Sequence, residues 1–300
     1  MGFQMFAFHE HVNRWQFVLI CAIAAIDGAD LAMLGACFRV FEEELHMGPT
    51  QLSTMALAQA LTGSFAAPLW GWLCDKGVLS RRQLWGGGTL GWGMVMLGLA
   101  ASSSFPVIVM LRLLNGIFLA SLTPLLQSWV AESVKPQDSG RIFGMVLAST
   151  TIGCVGCTAI AVSVGSSKVD VHGLGSVSGW RIMCAAIGLL AFVISTLTWC
   201  FFEQPKGPHA QAENDGTRHS ICWGFAQAFI DMALNVRDHW KSHTFRIIVC
   251  QGILGGTAAQ AGTFEIMFFM YVGLSPAQLT LMSSIRVNNV ASVARCLNIA

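Results

Sequence analysis

Long apolar runs alternate with short polar breaks along most of the chain. Residues 16–38, 51–74, 83–101, 105–130, 142–164, 180–202 and 245–271 each form a run near the ~20 residues that a helix needs to cross a bilayer core. Pro124 interrupts the fourth run. A closing stretch, 277–300, is broken by Arg286, Asn288, Asn289, Arg295 and Asn298 and reads as an incomplete eighth span. Between the runs lie a polar loop at 39–50 with Glu42, Glu43, Glu44 and the Gly48-Pro49 pair, a tight charged turn at 71–82, a connection at 132–141 and a loop at 166–179.

The expected fold is therefore all-α and polytopic. Residues 1–202 form a six-helix transmembrane domain, 203–244 a cytoplasmic linker, and 245–300 a partial second transmembrane domain with span seven and the incomplete span eight. The linker stands out by composition, with Pro205, Pro208 and Asn214-Asp215-Gly216 among charged residues and histidines. Within it Ile221, Phe225, Phe229 and Met232 recur at helical spacing, as suits a helix lying in the headgroup region or packed on the bundle.

Composition agrees with a membrane protein: 54% of the 300 residues are hydrophobic and 11% charged, with a mean hydropathy of +0.60. A net charge of +1, with the bases scattered in short clusters between apolar runs, excludes the basic surface that nucleic acid requires. Basic residues also set an orientation. With the N-terminus inside, Arg14, Lys76, Arg81, Arg82, Lys135, Arg141, Lys206, Arg218, Arg237, Lys241 and Arg246 are cytoplasmic, against Arg39, Lys168 and Arg181 outside. The first residues lack the apolar core and small-residue cleavage site of a secretory leader, so no processing is expected.

Of the ten cysteines, Cys21, Cys154, Cys157, Cys184 and Cys250 fall inside apolar runs and are expected to be free thiols. Cys154 and Cys157 have CxxC spacing but no second ligand pair, and read as small helix-packing residues. His9 and His11 have no third ligand near in sequence. No metal, cofactor or catalytic nucleophile–base pair is expected, and an enzyme is not the reading.

The chemistry lies in charges inside the membrane, where an ionised side chain is costly unless paired or facing a watery cavity. Asp27 and Asp30 share one face of the first span. Asp30 lies about 21 Å from Gln16 at 1.5 Å per residue, and Arg112, entering from the opposite side, lies about 10 Å below Phe105. These depths coincide in a core of about 30 Å, which predicts an Asp30–Arg112 contact and leaves Asp27 for a solute or a proton. A purely structural ion pair that fixes helix register is the alternative. Arg112, Asn115, Gly116 and Ala120 form one stripe on span four, and Gln59, Thr62, Gly63 and Ala66 form another on span two. A cavity wall explains both; ordinary close packing explains the second equally well.

These residues resemble the major facilitator superfamily of secondary transporters. In the turn at 71–82, Gly71, Asp75 and Lys76 match its signature loop in spacing, and Arg81 and Arg82 match in type, displaced by two residues. Arg112-Leu113-Leu114-Asn115-Gly116 is similar to the family's motif on span four. Glu132, Pro136 and Arg141 resemble the groups that close a charge relay with the signature loop, and Gly179-Trp180-Arg181 is also family-like. On span five Gly144, Gly153 and Gly156 are present without the family's Gly-Pro.

The resemblance implies two six-helix halves with a small solute bound between them near the midplane, access alternating as one half rocks against the other. Asp27, Asp30, Arg112, Asn115 and Gln59 would form the solute or proton site. Gly71, Asp75, Lys76, Arg81, Arg82, Glu132 and Arg141 would form a cytoplasmic latch. The implied partners are a small solute, the bilayer and a proton or other coupling ion. A different class stays open beside it: a truncated, non-transporting membrane protein or an accessory subunit associating with another chain of the family.

Overall fold

The computed structural model describes residues 14–75, 79–165, 167–171, 175–202, 230, 234, 236–275, 278–279 and 281–282. Its elements in order are α1 (Arg14–Leu45), α2 (Pro49–Asp75), α3 (Arg81–Ala101), α4 (Phe105–Leu119), α5 (Leu122–Ser133), α6 (Pro136–Val164), β1 (Lys168–Val171), β2 (Gly175–Ser178), α7 (Gly179–Phe201), α8 (His243–Ala261) and α9 (Glu265–Tyr271). A 3-10 turn, Gly262–Phe264, joins α8 to α9. The linker's apolar stripe, and all of 277–300 except residues 278, 279, 281 and 282, lie outside the described residues.

Four helices, α1, α3, α6 and α7, are long and apolar enough to cross a bilayer, as is the α4–α5 stretch taken as one unit. The protein is thus a multi-pass membrane protein. α2 also has the length of a span, diluted by Gln51, Ser53, Thr54, Gln59, Thr62 and Ser64.

The helices associate in pairs: α1 with α6, α3 with α7, and α2 with α4. Lipid tails are as apolar as leucine, so these seams rest on close packing rather than on hydrophobic drive. At the α1–α6 seam a Cβ on Gly28 would overlap the carbonyl oxygen of Thr150, and one on Gly153 the carbonyl oxygen of Ala25. Two buried clusters fill the interior, one around Met33, Phe38, Trp92 and Trp180 and one around Ile20, Leu84, Trp85 and Trp129.

Several elements correct the sequence reading. The loop expected at 39–50 is mostly helix, because α1 continues to Leu45 and its charges find partners: Arg39 bonds Glu43 at 2.6 Å, Glu44 accepts from the Trp180 indole at 2.8 Å, and Glu42 accepts from the Tyr271 hydroxyl. The connection at 132–141 is mostly helical too, since Pro136 opens α6 at its first turn with Asp138 beside it. Span four breaks at Ala120–Ser121, one turn ahead of Pro124. The loop at 166–179 holds an antiparallel hairpin pairing Lys168 with Ser178 and Val171 with Gly175. Span seven is interrupted by the turn at Gly262–Phe264.

α1 ends on His46, whose φ of +53° is the left-handed conformation that glycine adopts most easily. Relief of a non-glycine residue there is worth about 1 kcal/mol. His46→Gly is expected to raise the thermal unfolding midpoint in detergent, and a lowered midpoint would contradict this account of the cap.

Candidate functional site

Three helices build a polar cluster inside the apolar bundle. α1 supplies Asp30, α2 supplies Gln59, and α4 supplies Arg112 and Asn115. Asp30 and Asn115 are 0% exposed and Arg112 1%.

α4 presents these groups because the α2–α4 seam brings it close. A Cβ on Gly116 would overlap the Gln59 carbonyl oxygen and the Thr62 hydroxyl, so only glycine admits this approach. The Thr62 hydroxyl lies 2.8 Å from the Leu113 carbonyl oxygen, fastening the same turn of α4 to α2. Arg112 and Asn115 are three residues apart on that turn and project together.

Within the cluster Asn115 Nδ2 donates to Asp30 Oδ2 at 2.8 Å, the shortest contact the carboxylate makes. Arg112 Nη1 lies 3.5 Å from Asp30 Oδ1 and donates to Gln59 Oε1 at 3.1 Å. Gln59 Nε2 reaches Asp30 Oδ2 at 3.4 Å. The Gln59 amide therefore bridges the two ions, accepting from the guanidinium and donating to the carboxylate. Taking both charges out of water is costly, and the attraction between them offsets it only when the remaining polar atoms are satisfied. Two atoms stay open: Arg112 Nε and Asn115 Oδ1 are buried without a hydrogen-bond partner. One donor and one acceptor are thus held ready beside a neutralised ion pair, which suits a small polar group.

Asp27 lies one turn from Asp30 on α1 and is half-buried. Among the described residues it has no hydrogen bond or ion pair. Of the five residues expected at this site, the structure brings Asp30, Gln59, Arg112 and Asn115 together and leaves Asp27 beside them.

The charged turn packs against α5 and α7. Arg81 Nη2 donates to Ser128 Oγ on α5 at 2.7 Å, and the Arg82 guanidinium sits over the Trp199 ring at 5.7 Å. Ser80 opens α3 with a reciprocal cap to Gln83. Gly71 lies in the last two turns of α2 and Asp75 ends it, while Arg141 is exposed near the start of α6. Lys76 lies outside the described residues, as do the side chains of Asp75 and Glu132. Ser128 was not singled out by sequence reasoning; its signal is a small polar residue one turn before Glu132.

At the far end of the bundle, Arg181 gathers contacts that sequence reasoning also missed. It donates to the Ala100 and Ser102 carbonyl oxygens at 2.9 and 2.8 Å and to Ser103 Oγ at 2.9 Å, and lies 3.6 Å from Glu44. Its guanidinium thereby caps the C-terminus of α3 and ties it to α1 and α7.

Among the described residues no cluster of histidine, cysteine or acidic side chains has the arrangement of a metal site. Cys21, Cys37, Cys74, Cys154, Cys157, Cys184, Cys200 and Cys250 are free thiols.

Comparison with known proteins extends these observations. The sequence profile of the Major Facilitator Superfamily matches residues 20–294. The multi-drug resistance efflux pump PmrA of Streptococcus pneumoniae is 26% identical over 190 residues, covering 62% of this chain and 44% of that protein. The cis,cis-muconate transport protein of Acinetobacter baylyi is 24% identical over 281 residues, covering 85% of this chain and 64% of the relative. The crystal structure of a bacterial homolog to the human lysosomal transporter Spinster, inward-facing and unoccupied, superposes with a TM-score of 0.54 at 17% identity, covering 64% of this chain and 44% of that one. The chain thus spans less than half the length of the efflux pump and of the solved homolog that it matches.

Proposed function

The chain belongs to the Major Facilitator Superfamily, and from that premise we propose that it is a secondary transporter of a small solute working by alternating access. The observation that carries this reading is the buried Asp30–Gln59–Arg112–Asn115 cluster, because three helices expend close packing to hold charges at a depth where lipid disfavours them. In this reading Asp27, next to the cluster and unpartnered, meets the solute or a coupling proton. Arg112 Nε and Asn115 Oδ1 offer the solute one donor and one acceptor.

The same reading divides the chain into an N-terminal bundle at 1–202, a linker at 203–244 and the opening of a second bundle at 245–300. Its N-terminus is cytoplasmic, as the distribution of basic residues favours. Gly71, Asp75, Lys76, Arg81, Arg82, Glu132 and Arg141 then serve as the cytoplasmic latch, whose closing biases one of two access states. The Arg81–Ser128 bond supports a role for this turn in holding α5.

The test is solute accumulation in proteoliposomes containing the purified chain, with two probes: cis,cis-muconate, the cargo that one relative's name states, and a fluorescent lipophilic cation, chosen to represent a drug-like solute. At least one probe is expected to accumulate, and Asp27→Asn to abolish that accumulation. If neither probe accumulates although the chain is inserted and folded, the non-transporting, accessory reading takes its place.

A further inference from the structure

We propose that the break between α4 and α5 is a working hinge, and that Trp70 is the positioning residue that holds it. Pro124 has no N–H for the Ala120 carbonyl, and its ring crowds that carbonyl, so the helix cannot run straight through. The Ser121 N–H turns instead to the Phe118 carbonyl oxygen at 3.2 Å, a tighter pairing than the α-helical one. That shift strips the Ile117 carbonyl of its usual partner, four residues ahead. The Trp70 indole fills the vacancy, donating Nε1–H to Ile117 O at 2.7 Å. A carbonyl left bare in an apolar bundle would be costly, so Trp70 makes the broken geometry a stable one.

The two sides of the break are fastened at different levels of α2, and the downstream side to the charged turn as well. Upstream, α4 is bound to α2 through Thr62–Leu113, the Gly116 contact and Arg112–Gln59, and carries the polar cluster. Downstream, α5 is held through Ser128 by Arg81 of the charged turn, with the Cys74 thiol 3.5 Å from the same hydroxyl. The hinge therefore lies on the chain path between the cluster and the turn. Along this path either end can move without dragging the other by a rigid rod; α2, with Pro68 in its interior, is the second connection between them. What such movement would serve rests on the transporter reading; the hinge itself does not.

The experiment is pulsed electron spin distance measurement on the full chain in lipid nanodiscs. Nitroxides are carried on p-acetylphenylalanine at positions 107 and 127, both exposed, which leaves the native thiols untouched. Pro124→Ala restores a helix hydrogen bond, so it is expected to fold and to move the mean distance toward the ~30 Å of twenty residues of continuous helix. Trp70→Phe is expected to broaden the distribution in the parent but not in Pro124→Ala, where the Ser121 N–H reclaims the Ile117 carbonyl.

An unmoved distribution in Pro124→Ala overturns the proposal. So does Trp70→Phe broadening both backgrounds equally, which would mean lost packing only, or broadening neither. Solute uptake plays no part in this readout, so failure here and failure of the transporter reading are separate results.

Discussion

Arg112→Leu is expected to destabilise the folded protein by about 3–5 kcal/mol, the cost of leaving one member of a buried ion pair without its counter-charge. Asp30 is fully buried and would keep only the amides of Asn115 and Gln59. Those donors stabilise a carboxylate but do not neutralise it. Adding Asp30→Leu to Arg112→Leu removes the stranded charge, and replacement of both partners by apolar groups of similar volume is often neutral. The double variant is therefore expected to recover most of the lost stability. Unfolding in mixed micelles, followed by tryptophan fluorescence, reads both; a single variant as stable as the parent would mean that the pair contributes nothing to the fold.

The second large effect is expected at the α1–α6 seam. Gly153 lies against the Ala25 backbone and Gly28 against the Thr150 backbone, so an added side chain meets main chain rather than a movable rotamer. Overpacking costs about 1–3 kcal/mol where neighbours can shift, and more where they cannot. Gly153→Leu is expected to exceed that range and to yield little monodisperse protein in size-exclusion chromatography. Gly144→Leu on the same helix has nothing within 4 Å of its new Cβ and is expected to behave as the parent does. Equal yields from the two variants would contradict close packing as the source of the seam.

Both effects depend on residues whose partners are unequally readable from the chain. The Arg112–Asn115 spacing puts two polar groups on one turn, and the depth of Asp30 in its span puts it at their level, so a meeting of the three follows from helical geometry and bilayer thickness. That Asn115 makes the shortest contact to Asp30 does not follow, because it depends on the rotamers of four side chains packed at once. Likewise the glycines of span three predict close helices without saying which. In the structure Gly93 meets Gly188 of α7, while Gly91 and Gly88 lie against Phe118 and Ser121, at either side of the α4–α5 join.

Local rules failed where a distant element satisfied a polar group. Three consecutive glutamates read as loop, yet Tyr271, Arg39, Trp180 and Arg181 occupy them and the helix runs on. Pro124 marks a break in span four but not its place, which the Trp70 indole on another helix helps to set. The hairpin at Lys168–Ser178 is too short for a clear alternating signal.

The proposed transport reading requires that Asp27 face water beside the buried cluster, where a solute or a proton can reach it. Thiols react with maleimides as thiolates, which form where water reaches and not in lipid. Labelling of Asp27→Cys by a membrane-impermeant maleimide in nanodiscs, counted by mass spectrometry against the parent's native cysteines, tests it most directly. One additional label on Asp27→Cys, with none on Leu190→Cys, which is 53% exposed on the apolar outer stripe Leu190–Val193–Leu197 of α7, is the result this account predicts. No added label on folded Asp27→Cys, when the same site labels fully after denaturation, would contradict it.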